Sequence, residues 1–153
     1  MNYLLDTCII SELIKPMPNP KVVNWVRDCS EETLFLSVLT IGEIQKGIAK
    51  LPESEKREIL QFWFEHDLPR RFEGRIIDIT PQVARKWGEI QGKAEQEGKK
   101  MPAIDSLIAA TGLVYNLTVV TRNTSDVEVS GVQTFKAWKE LEDQEEHCQK
   151  EAE

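Results

Sequence analysis

Short apolar runs alternate with amphipathic stretches along most of this chain. Asn2 to Leu5 reads as a buried strand, and Ile9 to Ile14 as a helical turn stopped by Pro16 and Pro18. Asn19 is a good N-cap with Pro20 at the first helical position, and Val22, Val23 and Val26 give that helix a buried face. Leu34-Phe35-Leu36 is a second strand. Thr40 to Lys50 is predicted helical, with Ile41, Ile44 and Ile48 at spacings of three and four, and Leu51-Pro52 ends it. A longer helix begins at Glu53 and carries Ile59, Leu60, Phe62, Trp63 and Phe64. Arg75 to Ile79 is a third strand. Thr80-Pro81 opens a helix that runs through Val83, Trp87 and Ile90 to about Glu97. Pro102 starts another, Leu117 to Thr121 is a fourth strand, and Gly131 to Phe135 a fifth, at the sheet edge.

Strands alternating with helices imply a parallel sheet covered on both faces. The expected fold is α/β, a three-layer α/β/α sandwich around a mostly parallel sheet of four to five strands. Right-handed crossovers then gather the strand C-termini, and any ligand site, along one edge. Residues 1–138 are expected to form one domain. Residues 139–153, rich in Glu, Asp, Gln and Lys after the last apolar anchors, read as an acidic, solvated tail.

With 41% hydrophobic and 29% charged residues, the chain is ordinary for a globular protein and too apolar for disorder. A formal charge of −7 argues against coating nucleic acid through a broad basic surface. It leaves room for an enzyme acting on nucleic acid, since a bound metal and a few placed Arg or Lys supply positive charge locally. Cys8, Cys29 and Cys148 are odd in number and share no CxxC spacing, which points to a reduced, cytoplasmic setting. No segment has the length of an uninterrupted membrane helix, and the N-terminus, broken by Asp6 and Glu12, reads as folded structure.

The unusual feature is acidic. Asp6 closes the first strand, Glu43 and Asp105 lie inside apolar helical patterns, and Asp126 follows the fourth strand. Burying a charge costs several kcal/mol unless it is paired or binds a cation, so four such carboxylates suggest one convergent site for Mg²⁺ or Mn²⁺. Each also has a plainer use. Asp6 suits an N-cap, Glu43 a solvated helix face, Asp105 a helix start favoured by the dipole, and Asp126 a turn in the polar stretch from Thr121.

Four stretches, in order, resemble PIN-domain ribonucleases, more narrowly VapC-type toxins of toxin–antitoxin pairs. They are Leu4 to Leu13, Leu36 to Ile44, Pro102 to Ala110, and Val120 to Asn123 with Asp126; together they span the chain up to about Trp138. The family usually has Asn where Cys8 stands and an aromatic where Val127 follows Asp126. The resemblance implies that Asp6, Glu43, Asp105 and Asp126 bind the metal and catalyse RNA hydrolysis. It also implies that Thr121 and Asn123 position the metal shell or substrate and that Arg122 contacts a phosphate. A cognate antitoxin is implied as well, its C-terminal segment blocking the acidic site.

Three rival readings compete with a magnesium- or manganese-dependent endoribonuclease. A haloacid-dehalogenase-type phosphatase needs a second Asp where Cys8 stands, and neither GxGxxG nor GxxxxGK[ST] is present for nucleotide binding. A PIN-like module that binds RNA or protein without cutting is the third, and four retained acids argue against it. Lys99-Lys100, just before the Asp105 helix, and Arg70-Arg71, a separate patch, read as solvated charge. His66 and His147 lack metal-ligand spacing. Phe62, Trp63 and Phe64 cannot all point inward from one helix, so an exposed apolar strip and a homodimer are expected.

Overall fold

The computed structural model describes residues 1–138; the expected tail at 139–153, with His147 and Cys148, lies outside the described residues. Five strands are β1 (Tyr3–Leu5), β2 (Leu34–Ser37), β3 (Ile76–Ile77), β4 (Thr118–Val120) and β5 (Thr134–Phe135). All their pairings are parallel, in the order β3-β2-β1-β4-β5. Central β1 pairs Leu4 with Phe35 of β2 on one side and with Val119 of β4 on the other.

Alternate side chains of each strand enter opposite layers, as the pleat requires. Leu5, Leu34, Leu36 and Val120 join Ile9, Ile10, Val22 and Val26 from α1 (Thr7–Leu13) and α2 (Pro20–Asp28). Ile44 and Ile48 of α3 (Val38–Ala49) pack into the same layer. Leu4 and Val119 instead meet Val83 and Ile90 of α6 (Pro81–Gln96) and Ile108, Ala109 and Ala110 of α7 (Ala103–Tyr115). The three-layer expectation holds. Both layers are apolar, so β1 needs apolar residues at successive positions, which is why Leu4 and Leu5 are adjacent.

Between β2 and β3 the chain is helical from α4 (Glu55–Phe62) through a π turn (Trp63–Asp67) to α5 (Leu68–Arg71). Pro69 has no N–H with which to continue the regular ladder, and the widened turn is closed by Leu68 N donating to Trp63 O. Trp63 and Phe64 pack on the core while Phe62 and Ile59 stay about 60% exposed. That is the apolar strip expected from the sequence. A difference appears after β4, where the stretch read as a polar loop contains α8 (Thr124–Glu128). The short helix forms because Val127 is buried against α7 and β4 side chains, a tertiary contact that local polarity does not reveal.

Gly112 lets α7 lie close to the sheet. A Cβ there would meet Val132 Cγ2 at 2.9 Å, Val119 Cγ2 at 3.0 Å and Leu117 O at 3.2 Å. Asn116, with φ 55°, then ends α7 in the left-handed conformation and leads into β4.

Candidate active site

The chain builds β2 and β3 on one side of β1 and then crosses to β4 on the other, so the crevice beyond β1 and β4 is a topological switch point. Asp6 stands there as the N-cap of α1. Its Oδ1 accepts from Thr7 N at 2.8 Å, its Oδ2 accepts from Thr121 Oγ1 at 2.8 Å, and its own N–H donates to Val120 O at 2.9 Å. Asp6 therefore caps α1 while its second oxygen faces the switch point. Thr121 is buried just past β4 and gives its hydroxyl proton to Asp6.

Glu43 comes from α3, whose N-terminus is capped by Ser37 Oγ accepting from Leu39 N at 3.1 Å. It is only half-buried, and its Oε1 accepts from Thr7 Oγ1 at 2.7 Å. Thr7 thus ties two acids together, through its backbone N–H to Asp6 and its hydroxyl to Glu43. Buried Thr40, one turn before Glu43, lies 3.4 Å from the same hydroxyl. Sequence reasoning gave Thr7 no role. The available signal was a hydroxyl residue at the first helical position, between a capping Asp and an apolar run.

Asp105 is in the first turn of α7, half-buried, and its carboxylate has no hydrogen-bond partner among the described residues. Burial pushes its carboxyl above the usual range, and Asp6, Asp126 and Glu43 push in the same direction. Asp105 therefore feels the charge of the other three acids across the crevice. The start of α7 is held from behind by Ser106, which is fully buried. Its Oγ accepts from Trp87 Nε1 at 2.9 Å and Gln91 Nε2 at 2.7 Å, and donates to Pro102 O and Ala103 O. That network locks α6 to the turn bearing Asp105, and only tertiary packing discloses it.

Asp126 is exposed on α8, and the buried Val127 beside it fixes the helix without an aromatic ring. Asn123 is exposed; its N–H donates to Thr121 Oγ1 at 3.3 Å and its carbonyl accepts from Asp126 N at 3.2 Å. The Arg122 guanidinium lies 5.3 Å from the centre of the Trp138 ring, a cation–π distance that steadies it at the rim. Cys8 accepts weakly from Arg122 N at 3.4 Å, and burial first, then Asp6, raise its thiol pKa, so it stays neutral. Other candidates lie elsewhere: Arg71 pairs with Glu31 at 2.8 Å, and His66 lies against Phe62.

The donor set suits a hard divalent cation, since carboxylates and hydroxyls dominate and like charges converge. Among the described residues no lysine or arginine forms a salt bridge with Asp6, Glu43, Asp105 or Asp126. As placed, no three His, Cys, Asp or Glu side chains among the described residues form a ready coordination shell. Water would have to complete the shell of any cation held there.

Residues 3–130 match the sequence model of the PIN domain. Toxin FitB of Neisseria gonorrhoeae is 36% identical over 135 residues, covering 88% of this chain and 97% of its own length. VapC ribonuclease Y4jK of Sinorhizobium fredii is 33% identical over 135 residues, covering 88% of this chain and 96% of its own. Among solved structures, that of FitAB bound to the IR36 DNA fragment superposes with a TM-score of 0.84 at 35% identity, over 89% of this chain and 95% of that one.

Proposed function

From the premise that this chain belongs to the PIN-domain family, in its VapC/FitB-type toxin branch, we propose that it is a metal-dependent endoribonuclease and the toxin of a toxin–antitoxin pair. The observation that carries the reading is the gathering of Asp6, Glu43 and Asp126 close enough to Asp105 to push its carboxyl upward, at the switch point of the sheet. These four would hold Mg²⁺ or Mn²⁺, directly or through water. Such an ion lowers the pKa of a bound water and stabilises charge on the leaving oxygen of a phosphodiester.

The chain's own groups do the positioning. Thr7 and Thr121 fix the Asp6 carboxylate through one hydrogen bond to each oxygen, leaving the remaining lone pairs for the ion. Thr7 orients Glu43, and the Ser106 network sets the height of Asp105. Arg122, steadied on Trp138, contacts a substrate phosphate, and Asn123 contacts substrate or its water shell.

A mostly apolar groove of about 290 Å³ runs from Thr7 and Glu43 along Ile44 to Leu60. It would take the apolar side chains of an antitoxin's C-terminal segment, whose basic residue then enters the acid cluster in place of metal. The exposed strip at Ile59 and Phe62 is the proposed face of a homodimer. No helix among the described residues is long and apolar enough to cross a membrane, and the reading places the protein in the cytoplasm with its RNA. Incubating the purified protein with total RNA in Mg²⁺, Mn²⁺ or EDTA tests the proposal: cleavage with either metal and none in chelator is expected. RNA bound but left intact in both metals would instead favour a non-catalytic binding module.

A further inference from the structure

An acid cluster that must receive a polyanion needs cations nearby, on a chain whose formal charge is −7. The connection from α6 to α7 supplies two of them from a built position. Helix α6 ends in a Schellman motif: Lys99 N donates to Ala94 O at 2.8 Å, Gly98 N to Glu95 O at 3.1 Å, and Gly98 takes φ 67°. The returning chain is pinned by Gln91, whose Nε2 donates to Met101 O at 2.9 Å and to Ser106 Oγ at 2.7 Å. Lys99 and Lys100 therefore leave a turn that is tied at both ends.

A groove of about 580 Å³ opens beside this turn, lined by Gln91, Glu95, Lys99, Lys100, Pro102 and Asp126. Asp126 belongs to the acid cluster, so the groove begins where the site ends. Its size lies within the roughly 300–1,000 Å³ of small-ligand pockets. Lys100 has no ion-pair partner among the described residues, and Lys99 holds only an exposed pair with Glu97 at 3.3 Å, a kind that contributes little. Glu95 and Asp126 offset the two lysines, so phosphate would be recognised by where the ammonium groups stand and not by a general positive field.

The amide of Gln91 adds a polar contact of defined sense. Met101 O can only accept, and Ser106 Oγ directs its hydrogen to Pro102 O and Ala103 O, so the amide nitrogen faces both. Both its N–H groups are thereby used. Gln91 Oε1 remains an acceptor with no protein partner among the described residues.

We infer that this groove is a subsite for a nucleotide flanking the scissile bond of single-stranded RNA. Lys100, with Lys99 beside it, takes a backbone phosphate, and Gln91 Oε1 accepts from a 2′-hydroxyl or a base N–H. The inference rests on the nuclease reading above.

The test is binding and cleavage of a short labelled single-stranded RNA by full-length protein across a salt series. In the Asp6→Asn background, where the RNA survives, Lys99→Ala/Lys100→Ala should weaken binding several-fold. It should also flatten the log–log salt dependence by roughly 0.7 for each phosphate that is no longer neutralised. Lys99→Arg/Lys100→Arg should restore both. With Asp6 intact, the alanine pair should raise KM while kcat and the metal requirement stay near wild type. An alanine pair with wild-type affinity and salt slope, in a protein that cuts RNA, overturns the subsite alone. A wild-type protein that neither binds nor cuts RNA overturns the nuclease reading and this one with it.

Discussion

Thr121 Oγ1 donates to Asp6 Oδ2 at 2.8 Å, joining residues 115 positions apart that each sit just beyond the C-terminal end of a neighbouring strand. Thr121→Val keeps the shape and removes the donor. The carboxylate proposed to hold the metal then loses one of its two tethers, and cleavage should fall by one to two orders of magnitude with a higher metal requirement. Stability should drop by about 1.5–3 kcal/mol, the worth of a hydrogen bond to a charged group, here the half-buried Asp6 carboxylate. Thr121→Ser should recover most of both; wild-type activity in the valine variant would show that Asp6 needs no such support.

Metal removal is the broadest check. Activity should vanish in EDTA and return with Mg²⁺ or Mn²⁺, because carboxylates alone are poor phosphodiester catalysts. Undiminished cleavage in excess chelator would sink the assignment of the four acids.

Asp6→Asn and Asp105→Asn should each nearly abolish cleavage in a protein that stays folded. Asn caps a helix about as well as Asp, so α1 keeps its start. Asp105 is pushed toward its neutral form by burial and by three neighbouring acids, so Asp105→Asn should raise the metal-free Tm. A calorimetric scan in chelator that shows the substitution lowering Tm would contradict that repulsion.

The strands and the longer helices were legible because they follow from local rules, namely apolar runs and cap-then-proline starts at Asn19 and Thr80, and the four acids stood out as charges at strand ends or inside apolar helical patterns. What was not legible is tertiary. Thr7 looks like any first-turn threonine until Glu43 arrives from a residue 36 positions on. The five residues of α8 are too few for propensity to announce, and Val127 secures them only by reaching a core made elsewhere. Ser106, Trp87 and Gln91 are ordinary residues apart and form one network only once α6 and α7 pack together.

Asp126 and Arg122 should separate by role. Asp126 is the exposed member of the cluster, so Asp126→Asn should lower turnover less than Asp105→Asn and raise the metal concentration required. Arg122→Ala should leave metal affinity nearly unchanged, weaken RNA binding and flatten its salt slope by roughly 0.7. Titrating activity against metal and against salt for each variant distinguishes the two, and an unchanged salt slope for Arg122→Ala would falsify its phosphate contact.

Gly112→Ala should destabilise by about 1–3 kcal/mol, since the added methyl meets two valine side chains and a backbone oxygen that cannot all move aside. Chemical denaturation measures this directly. A neutral result would mean that α7 can shift outward, and Asp105 would shift with it.

The strand order has a consequence for the chain as it is made. β1 emerges first, yet its partner β4 and the helix bearing Asp126 come only after β2, β3 and α7. A nascent chain can pair β1 with β2 and bring Thr7, Asp6 and Glu43 together, but Thr121 and Asp126 are still unsynthesised. No N-terminal fragment short of them holds the whole cluster. A nuclease built in this order cannot complete its acid cluster until the chain has been made through Asp126, so every shorter nascent chain is an unassembled site.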